Sequence, residues 1–286
     1  MKVLILMTEK DFHFKAFKQA FHEQGFKVGY ANIKRVSLFS KTGKTEIRHP
    51  VIHFDSYDAV YLTPALQLKQ FIEPLLLELQ DLGIYAQFNP NSFYINDNEA
   101  LQAVLLNSFN VKLGKTILVG QPTKIIPATR HMSYPVLLKL FKNQKKNFSL
   151  LVESQRSLQS LSKSLDPDLD AVFVKEFIEG DIDHCLVIGE KVYAIRRKWD
   201  GEQVVHLNKG QMTKLSKIDS DTAIQAAQIC GCDIATVKLC KGYVIKVDSH
   251  VDIQAFNKKI GLNFYAEVAK LYFEKIKNQK PRGKKE

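Results

Sequence analysis

The stretch Cys232–Asp248, CDIATVKLCKGYVIKVD, decides how this chain is read. It reads as two β-strands joined by a tight Lys241-Gly242 turn. Val237, Leu239 and Val244 are apolar, whereas Lys238, Lys246 and Asp248 interrupt the pattern as charges. A lysine in an otherwise buried hairpin is costly unless an anion meets it. The neighbouring sequence has to supply that anion or a reason for its absence.

Working outward, Ser220–Cys230 reads as a helix capped by Asp219 or Ser220 that leads into the hairpin. Upstream, His184–Ile188 and Lys191–Arg197 form a second hairpin through Gly189-Glu190, with Val204–Leu207 as a further edge. Ala171–Phe177 is a strong strand. Pro135–Phe141, which contains Lys139, and Phe148–Val152 pair around KNQKKN, and Ser154–Ser164 is a polar-faced helix. Leu262–Ile276 is the last helix. This part reads as α+β with antiparallel hairpins.

The N-terminal part has a different rhythm. Val3–Met7 is a buried strand, and Asp11–Gln24 is a helix with Phe14, Phe17, Ala20 and Phe21 on one face, closed by Gly25. Lys27–Asn32 completes a β-α-β unit, which implies a parallel sheet. Lys34–His53 is polar and turn-rich. Tyr57–Leu62 is a third strand. Leu66–Leu82 is a helix that Pro74 is expected to kink or split, and Ile84–Gln87 is a fourth strand. A helix capped by Asn96 or Asp97 runs to Ser108. The expected organisation is an α/β domain over 1–88, an α+β domain over 89–277, and a basic disordered tail over 278–286.

The chain carries a net charge of +11, concentrated partly in the tail and in Lys142–Lys146. That balance favours anionic partners: a small molecule, an acidic peptide or protein, or nucleic acid. The aromatic interleaving of nucleic-acid binders is missing from both clusters. No apolar run reaches membrane-spanning length, and MKVLILM reads as a first strand rather than a signal peptide, so a cytoplasmic protein is expected. Cys185, Cys230, Cys232 and Cys240 lack metal or redox spacing and read as small buried residues. His184, His206 and His250 form no metal-spaced set. Nucleophile-elbow, P-loop and CxxC motifs are absent.

PVLLKL (135–140), VKEFIEGDIDHCLVIGEKVYAIRR (174–197), HLNKG (206–210), AIQAAQICGCDIATVKL (223–239) and YVIKVD (243–248) occur in an order and spacing that resemble the ATP-grasp superfamily. Within it the chain is similar to RimK-type carboxylate–amine ligases (glutamate ligase-like), over residues 1 to about 277. The resemblance implies an ATP-grasp fold with an N-terminal parallel α/β (pre-ATP-grasp) domain. It also implies a chemistry in which ATP phosphorylates a carboxylate and an amine attacks the acyl phosphate. Such chemistry needs cations around the phosphates, oxygen ligands for Mg²⁺, and a glycine-rich lid.

On that resemblance Lys139 falls on a phosphate-contacting lysine, and Glu176, Phe177 and Ile178 fall on the adenine hinge. His206, Asn208 and Lys209 overlie an Asn-Leu-His-Arg-Gly segment, and His184 overlies an arginine. Three further departures stand out. The first phosphate lysine aligns near Glu99, a charge reversal. The lid aligns with KNQKKNFS (142–149), which has no glycine. The metal-ligand positions Asp, Glu and Asn align with Lys238, Lys246 and Asp248. A lysine ~4 Å from a divalent ion repels it by about 8 kcal/mol at an effective dielectric near ~20, so no metal is expected there, and a nucleotide would bind without magnesium. The bland alternative is that Lys238 and Lys246 face solvent or pair with Asp248 and Asp252. The leading expectation is a degenerate ligase, a pseudoenzyme acting as a binding or regulatory protein. The alternatives are an active ligase working on a glutamate-like or peptide substrate, and a basic nucleic-acid-binding module.

Overall fold

A computed structural model of the protein describes residues 1–63, 68–142, 145–199 and 210–279. The chain opens with β1 (Lys2–Met7), buried from Val3 onward. Helix α1 (Phe12–Glu23) starts where Asp11 accepts a hydrogen bond from Phe14 N, and buries Phe17, Ala20 and Phe21. β2 (Lys27–Asn32) follows. The polar segment after it contains a hairpin that the sequence did not announce, β3 (Ser37–Lys41) and β4 (Lys44–Arg48), which turns at Gly43 (φ +77°). Its Leu38 and Ile47 are only partly covered by the core, so the alternation that marks a strand is weak.

β5 (Ala59–Leu62), α2 (Lys69–Asp81) and β6 (Tyr85–Ala86) complete a parallel sheet ordered β2-β1-β5-β6. Of the two outcomes expected at Pro74, a kink or a split, the split does not occur: α2 runs through it unbroken, with Ile72, Leu75, Leu76 and Leu79 buried. A Cβ at Gly29 in β2 would meet the Tyr57 phenol, which would have to shift to admit it.

The helix expected from Asn96 or Asp97 to Ser108 is α4 (Glu99–Ser108), and an unexpected short helix, α3 (Ser92–Asp97), precedes it. They break at the extended residue Asn98, whose side chain accepts from Leu101 N and so caps α4. Glu99 becomes the first residue of that helix. Next come β7 (Thr116–Val119), α5 (Ile125–Ala128), β8 (Val136–Lys142), β9 (Lys145–Val152), α6 (Gln155–Ser162) and β10 (Ala171–Glu176). The four strands form an antiparallel sheet ordered β7-β10-β8-β9.

The second antiparallel sheet is built from β11 (Ile182–Ile188), β12 (Lys191–Arg197), β13 (Gln211–Thr213), β14 (Ile234–Cys240) and β15 (Tyr243–Asp248), ordered β13-β12-β11-β14-β15. The edge expected at Val204–Leu207 lies outside the described residues. Lys241 (φ +50°) and Gly242 (φ +76°) both take positive φ, as a two-residue hairpin turn of the opening stretch demands. Helix α7 (Lys217–Ile229) covers one face of this sheet and begins at Ser216, whose hydroxyl accepts from Asp219 N. That start is one turn earlier than expected. Helices α8 (Ile253–Ile260) and α9 (Phe264–Asn278) close the described chain.

Among the described residues three buried clusters hold the molecule together, and two of them cross the boundary expected at residue 88. One joins Leu4, Val60 and Leu75 to Val187, Ala226 and Val237. Another joins Val3, Phe17 and Phe21 to Leu186, Phe264 and Tyr272. Tyr272 Oη lies 2.5 Å from Gln87 Oε1 and 3.1 Å from the Val60 carbonyl, and its ring meets Phe21 and Tyr85. The last helix thus returns to the first sheet and fixes it against the second antiparallel sheet. Among the described residues no helix is long and apolar enough to cross a membrane.

Candidate functional site

The site follows from strand alternation. On β8 and β10 one face, Val136, Leu138, Leu140, Val172 and Val174, packs with Ile125 and Leu158. The opposite face carries Lys139 directly across from Phe173, with Lys175 two residues further along β10. On the second sheet one face packs against the core under α7. The other carries His184, Lys238 and Lys246 as a continuous cross-strand row over β11, β14 and β15. Thr236 pairs with Asp248 in the next row. Lys175 Nζ donates to the Ile245 carbonyl on β15 at 2.7 Å and ties the two polar faces together. Lys246 and Asp248 keep about a third of their side-chain surface, 34% and 35%, so the row opens to solvent as the floor of a cleft.

Glu99 enters this cleft from the start of α4. It is paired with Lys139, which is almost fully buried. Burial pushes the Glu99 carboxyl up, but the charge and hydrogen bond of Lys139, with the charges of Lys246 and Lys175, hold it below the usual range. The charge reversal noted in the sequence is therefore answered within the cleft: the acid at 99 neutralises the lysine at 139.

The remaining cations are less well matched. Burial brings Lys175 down to about 8, with Lys139 adding to the effect and Glu99 opposing it. Burial and the charge of Lys246 lower Lys238. Lys246 is raised: burial works against it, and the charge and 2.9 Å hydrogen bond of Asp248 prevail. His184 is brought down to about 4 by burial and by the charges of Lys238 and Arg197, so it is neutral at pH 7. Its Nε2, and Ser149 Oγ across the cleft, are buried with no hydrogen-bond partner among the described residues.

The metal positions can be tested directly. Asp248 Oδ2 contacts Lys246 Nζ and its Oδ1 accepts from His250 N at 3.1 Å. Glu99 is held by Lys139. Among the described residues no group of three His, Cys, Asp or Glu is placed to hold a metal ion. A hard divalent cation needs several oxygen ligands free of ammonium groups. Among the described residues, the carboxylates at 99 and 248 are already engaged by lysine ammonium groups and do not fit one. Lys246 does pair with Asp248, as the bland alternative held, whereas Asp252 caps α8 by accepting from Ala255 N.

The expected hinge is structurally occupied. The Glu176 carboxylate accepts from Lys115 N (3.1 Å) and Ser133 N (2.9 Å), and Lys115 Nζ lies 3.6 Å away. It ties two loops to the end of β10. Phe177 N donates to the Pro135 carbonyl, Ile178 O accepts from Cys240 Sγ, and Trp199 packs on Phe177 at 5.4 Å between ring centres. His206, Asn208 and Lys209 lie outside the described residues. Lys142, in the basic cluster, is paired with Asp166. A cavity of about 770 Å³ lies elsewhere, near Leu76, Ile84 and Phe88. Its Asp233 is already held by Tyr85 Oη and Lys275 Nζ.

Sequence reasoning overlooked Lys175. Its signal was available: on β10 it shares parity with Phe173, and Phe173 faces Lys139 once the antiparallel register is known.

Two antiparallel sheets facing each other across a polar cleft, beside a parallel α/β layer, define the ATP-grasp ligase fold. The ADP-, leader- and core-peptide-bound RiPP-associated ATP-grasp ligase of Chryseobacterium gregarium superposes with a TM-score of 0.69 at 14% identity, covering 99% of this chain and 98% of that one. The ATP-grasp ligase PsnB, bound to a phosphomimetic variant of its minimal precursor, Mg and ADP, gives 0.69 at 13% identity, over 96% and 98%. A family model for the RimK-like ATP-grasp domain matches residues 96–272. The chain belongs to the RimK-like ATP-grasp family. A probable alpha-L-glutamate ligase of Vibrio atlanticus is 25% identical over 298 aligned positions, 98% of this chain and 97% of that protein.

Proposed function

We propose that this protein is a degenerate member of its ligase family: a cytoplasmic binding or regulatory protein whose cleft holds an anionic ligand without a divalent metal. The observation that carries the reading is the Lys238–Lys246–Asp248 row, in which two ammonium groups stand on the strands where the family's metal ligands are expected. The Glu99–Lys139 pair supports it, because it neutralises a cation expected to meet phosphate. The ligand classes consistent with the charge are a nucleotide, another anionic small molecule, or an acidic peptide. The last draws support from the peptide-bound relatives.

Binding rests on charge matching. Lys238 and Lys246 present ammonium groups at the cleft floor, Lys175 adds a third between the sheets, and neutral His184 and Ser149 offer unpaired polar atoms beside them. The test is thermal stabilisation by ATP in EDTA and in Mg²⁺, with ADP release assayed in the presence of glutamate or an acidic peptide. Stabilisation in EDTA without turnover is expected. Stabilisation that requires Mg²⁺, with ADP release, would overturn the reading.

A second reading is an active carboxylate–amine ligase. It is favoured by the near full-length similarity to a probable alpha-L-glutamate ligase. In it Lys238 and Lys246 would supply the cationic charge at the phosphates, and the same assay decides for it if ADP is released in EDTA.

A further inference from the structure

We propose that the hollow beside β6 is an accessory binding site for an α-amino acid with an apolar side chain. None of the cleft residues Glu99, Lys139, Lys175, Lys238 and Lys246 lines it, so it is a second site and does not depend on what the cleft binds.

The parallel sheet ends at β6, and among the described residues no further strand covers its outer edge. A hollow of about 770 Å³ lies there, between the C-terminal half of α2, the loop that leads into α3, and the end of α9. That volume suits a small molecule. Leu76, Leu77, Ile84, Phe88, Ile95 and Ile229 give it an apolar wall. Leu77 is 54% exposed, a leucine that α2 leaves uncovered beside the hollow. Gly231 (φ +75°) lets the polar part of the wall close up, because a Cβ there would stand 3.1 Å from Asn89 Cβ and 3.2 Å from Ser92 Cβ. Ser92 is fully buried in this wall, and its Oγ has no hydrogen-bond partner among the described residues. A ligand's polar group meeting that hydroxyl would remove a standing cost.

The charges choose the class of ligand. Among the residues that line the hollow, one is acidic and one is a lysine: Asp233 and Lys275, paired at 2.8 Å, with 24% and 42% of their side chains exposed. Tyr85 Oη donates to the second Asp233 oxygen at 2.7 Å. Burial and the charge of Asp233 push that phenol well above its ordinary range, so it stays a donor. Asp233 and Lys275 also line a neighbouring hollow that carries Glu190, Lys191, Glu267, Lys270 and Glu274. Glu267 takes both lysines there, at 2.9 Å and 2.7 Å, so that side supplies no unmatched cation for a free anion.

A lone anion would meet a lysine already matched by Asp233. A lone cation would meet an acid already holding Lys275 and Tyr85. A zwitterion exchanges the pair instead: its ammonium goes to Asp233, its carboxylate goes to Lys275, and every charge keeps a partner. An α-amino acid holds its two charged groups on adjacent carbons, close enough to insert into one ion pair. Its side chain is then left to the apolar wall, where a leucine or phenylalanine side chain gains by burial and glycine gains nothing.

The experiment is isothermal titration of the full chain with L-leucine and L-phenylalanine, beside three probes: glycine, isopentylamine, which lacks the carboxylate, and isocaproate, which lacks the ammonium. Saturable binding of at least one apolar amino acid tighter than about 1 mM is expected, with each probe about tenfold weaker or more. Two variants place the site. Lys275→Gln removes the partner of the carboxylate, and Leu77→Asp puts a charge on the apolar wall. Each is expected to weaken binding of the amino acid about tenfold or more. Leu77 is exposed and Lys275 partly so, which favours folding of both variants; should Lys275→Gln not fold, Leu77→Asp carries the same test. Failure of both amino acids to bind overturns the proposal. So does an amine or acid probe that binds as well as the amino acid, or unchanged affinity in either folded variant.

Discussion

The two faces of the β8–β10 sheet are made by the same strands and obey different rules. Val136, Leu138, Leu140, Val172 and Val174 are buried among apolar side chains and need only volume. One residue along, Lys139 and Lys175 are almost as buried but need charge to be balanced. The apolar face holds the sheet together whatever the solvent contains. The polar face is a local liability that Glu99 only partly offsets. Natural chains keep such liabilities where binding needs them.

The largest expected effect lies on the apolar face. Leu138→Ala removes a fully buried side chain, and urea unfolding should record a loss of about 3 kcal/mol. An effect below ~1 kcal/mol would mean that the two faces are not as different as their packing implies.

Lys175→Met should act in the opposite direction. The folded-state pKa of Lys175 is about 8 against 10.5 for the free side chain. Below about 8 both states are protonated and the folded state bears the full penalty of the buried charge. Between about 8 and 10.5 the unfolded chain binds more protons, so stability rises with pH, and above 10.5 the penalty is gone. The variant should therefore be more stable than the parent by up to about 3 kcal/mol at pH 7, with the gain shrinking towards pH 10. Urea midpoints measured across that range check it. A variant less stable at pH 7 would show that the 2.7 Å bond to the Ile245 carbonyl outweighs the buried charge. The same titration predicts that anion binding weakens as pH rises through about 8, since the deprotonated amine offers no charge.

Asn98→Ala should cost about 1 kcal/mol through loss of the α4 cap, measured by urea unfolding. The smallest effect is expected at the surface: Lys142→Ala breaks an exposed pair with Asp166, and the melting temperature should not move measurably.

Much of the fold was legible because its signals are local. Val3–Met7, the phenylalanine face of α1 and the Lys241-Gly242 turn each carry their period or their turn chemistry in a few residues. The β3–β4 hairpin was not legible, since Leu38 and Ile47 give only a faint alternation. The break at Asn98 was hidden because Asn96, Asp97 and Asn98 are all plausible caps, and only the extended backbone at Asn98 selects one. Glu176 reads from the sequence as a ligand contact, yet its carboxylate is engaged by the Lys115 and Ser133 amides, partners 61 and 43 residues away.

By itself, the sequence determined the placing of Lys238, Lys246 and Asp248 on paired strands, since strand alternation and turn residues act between near neighbours, and the order of its motifs carried the resemblance to the ATP-grasp framework. Tertiary structure decided what those charges do. Glu99 meets Lys139 from 40 positions away and Lys175 meets Ile245 from 70. A charge's partner, and hence its protonation, depends on which strands the fold brings face to face and how much water remains between them. Neither is written in the spacing of residues along the chain.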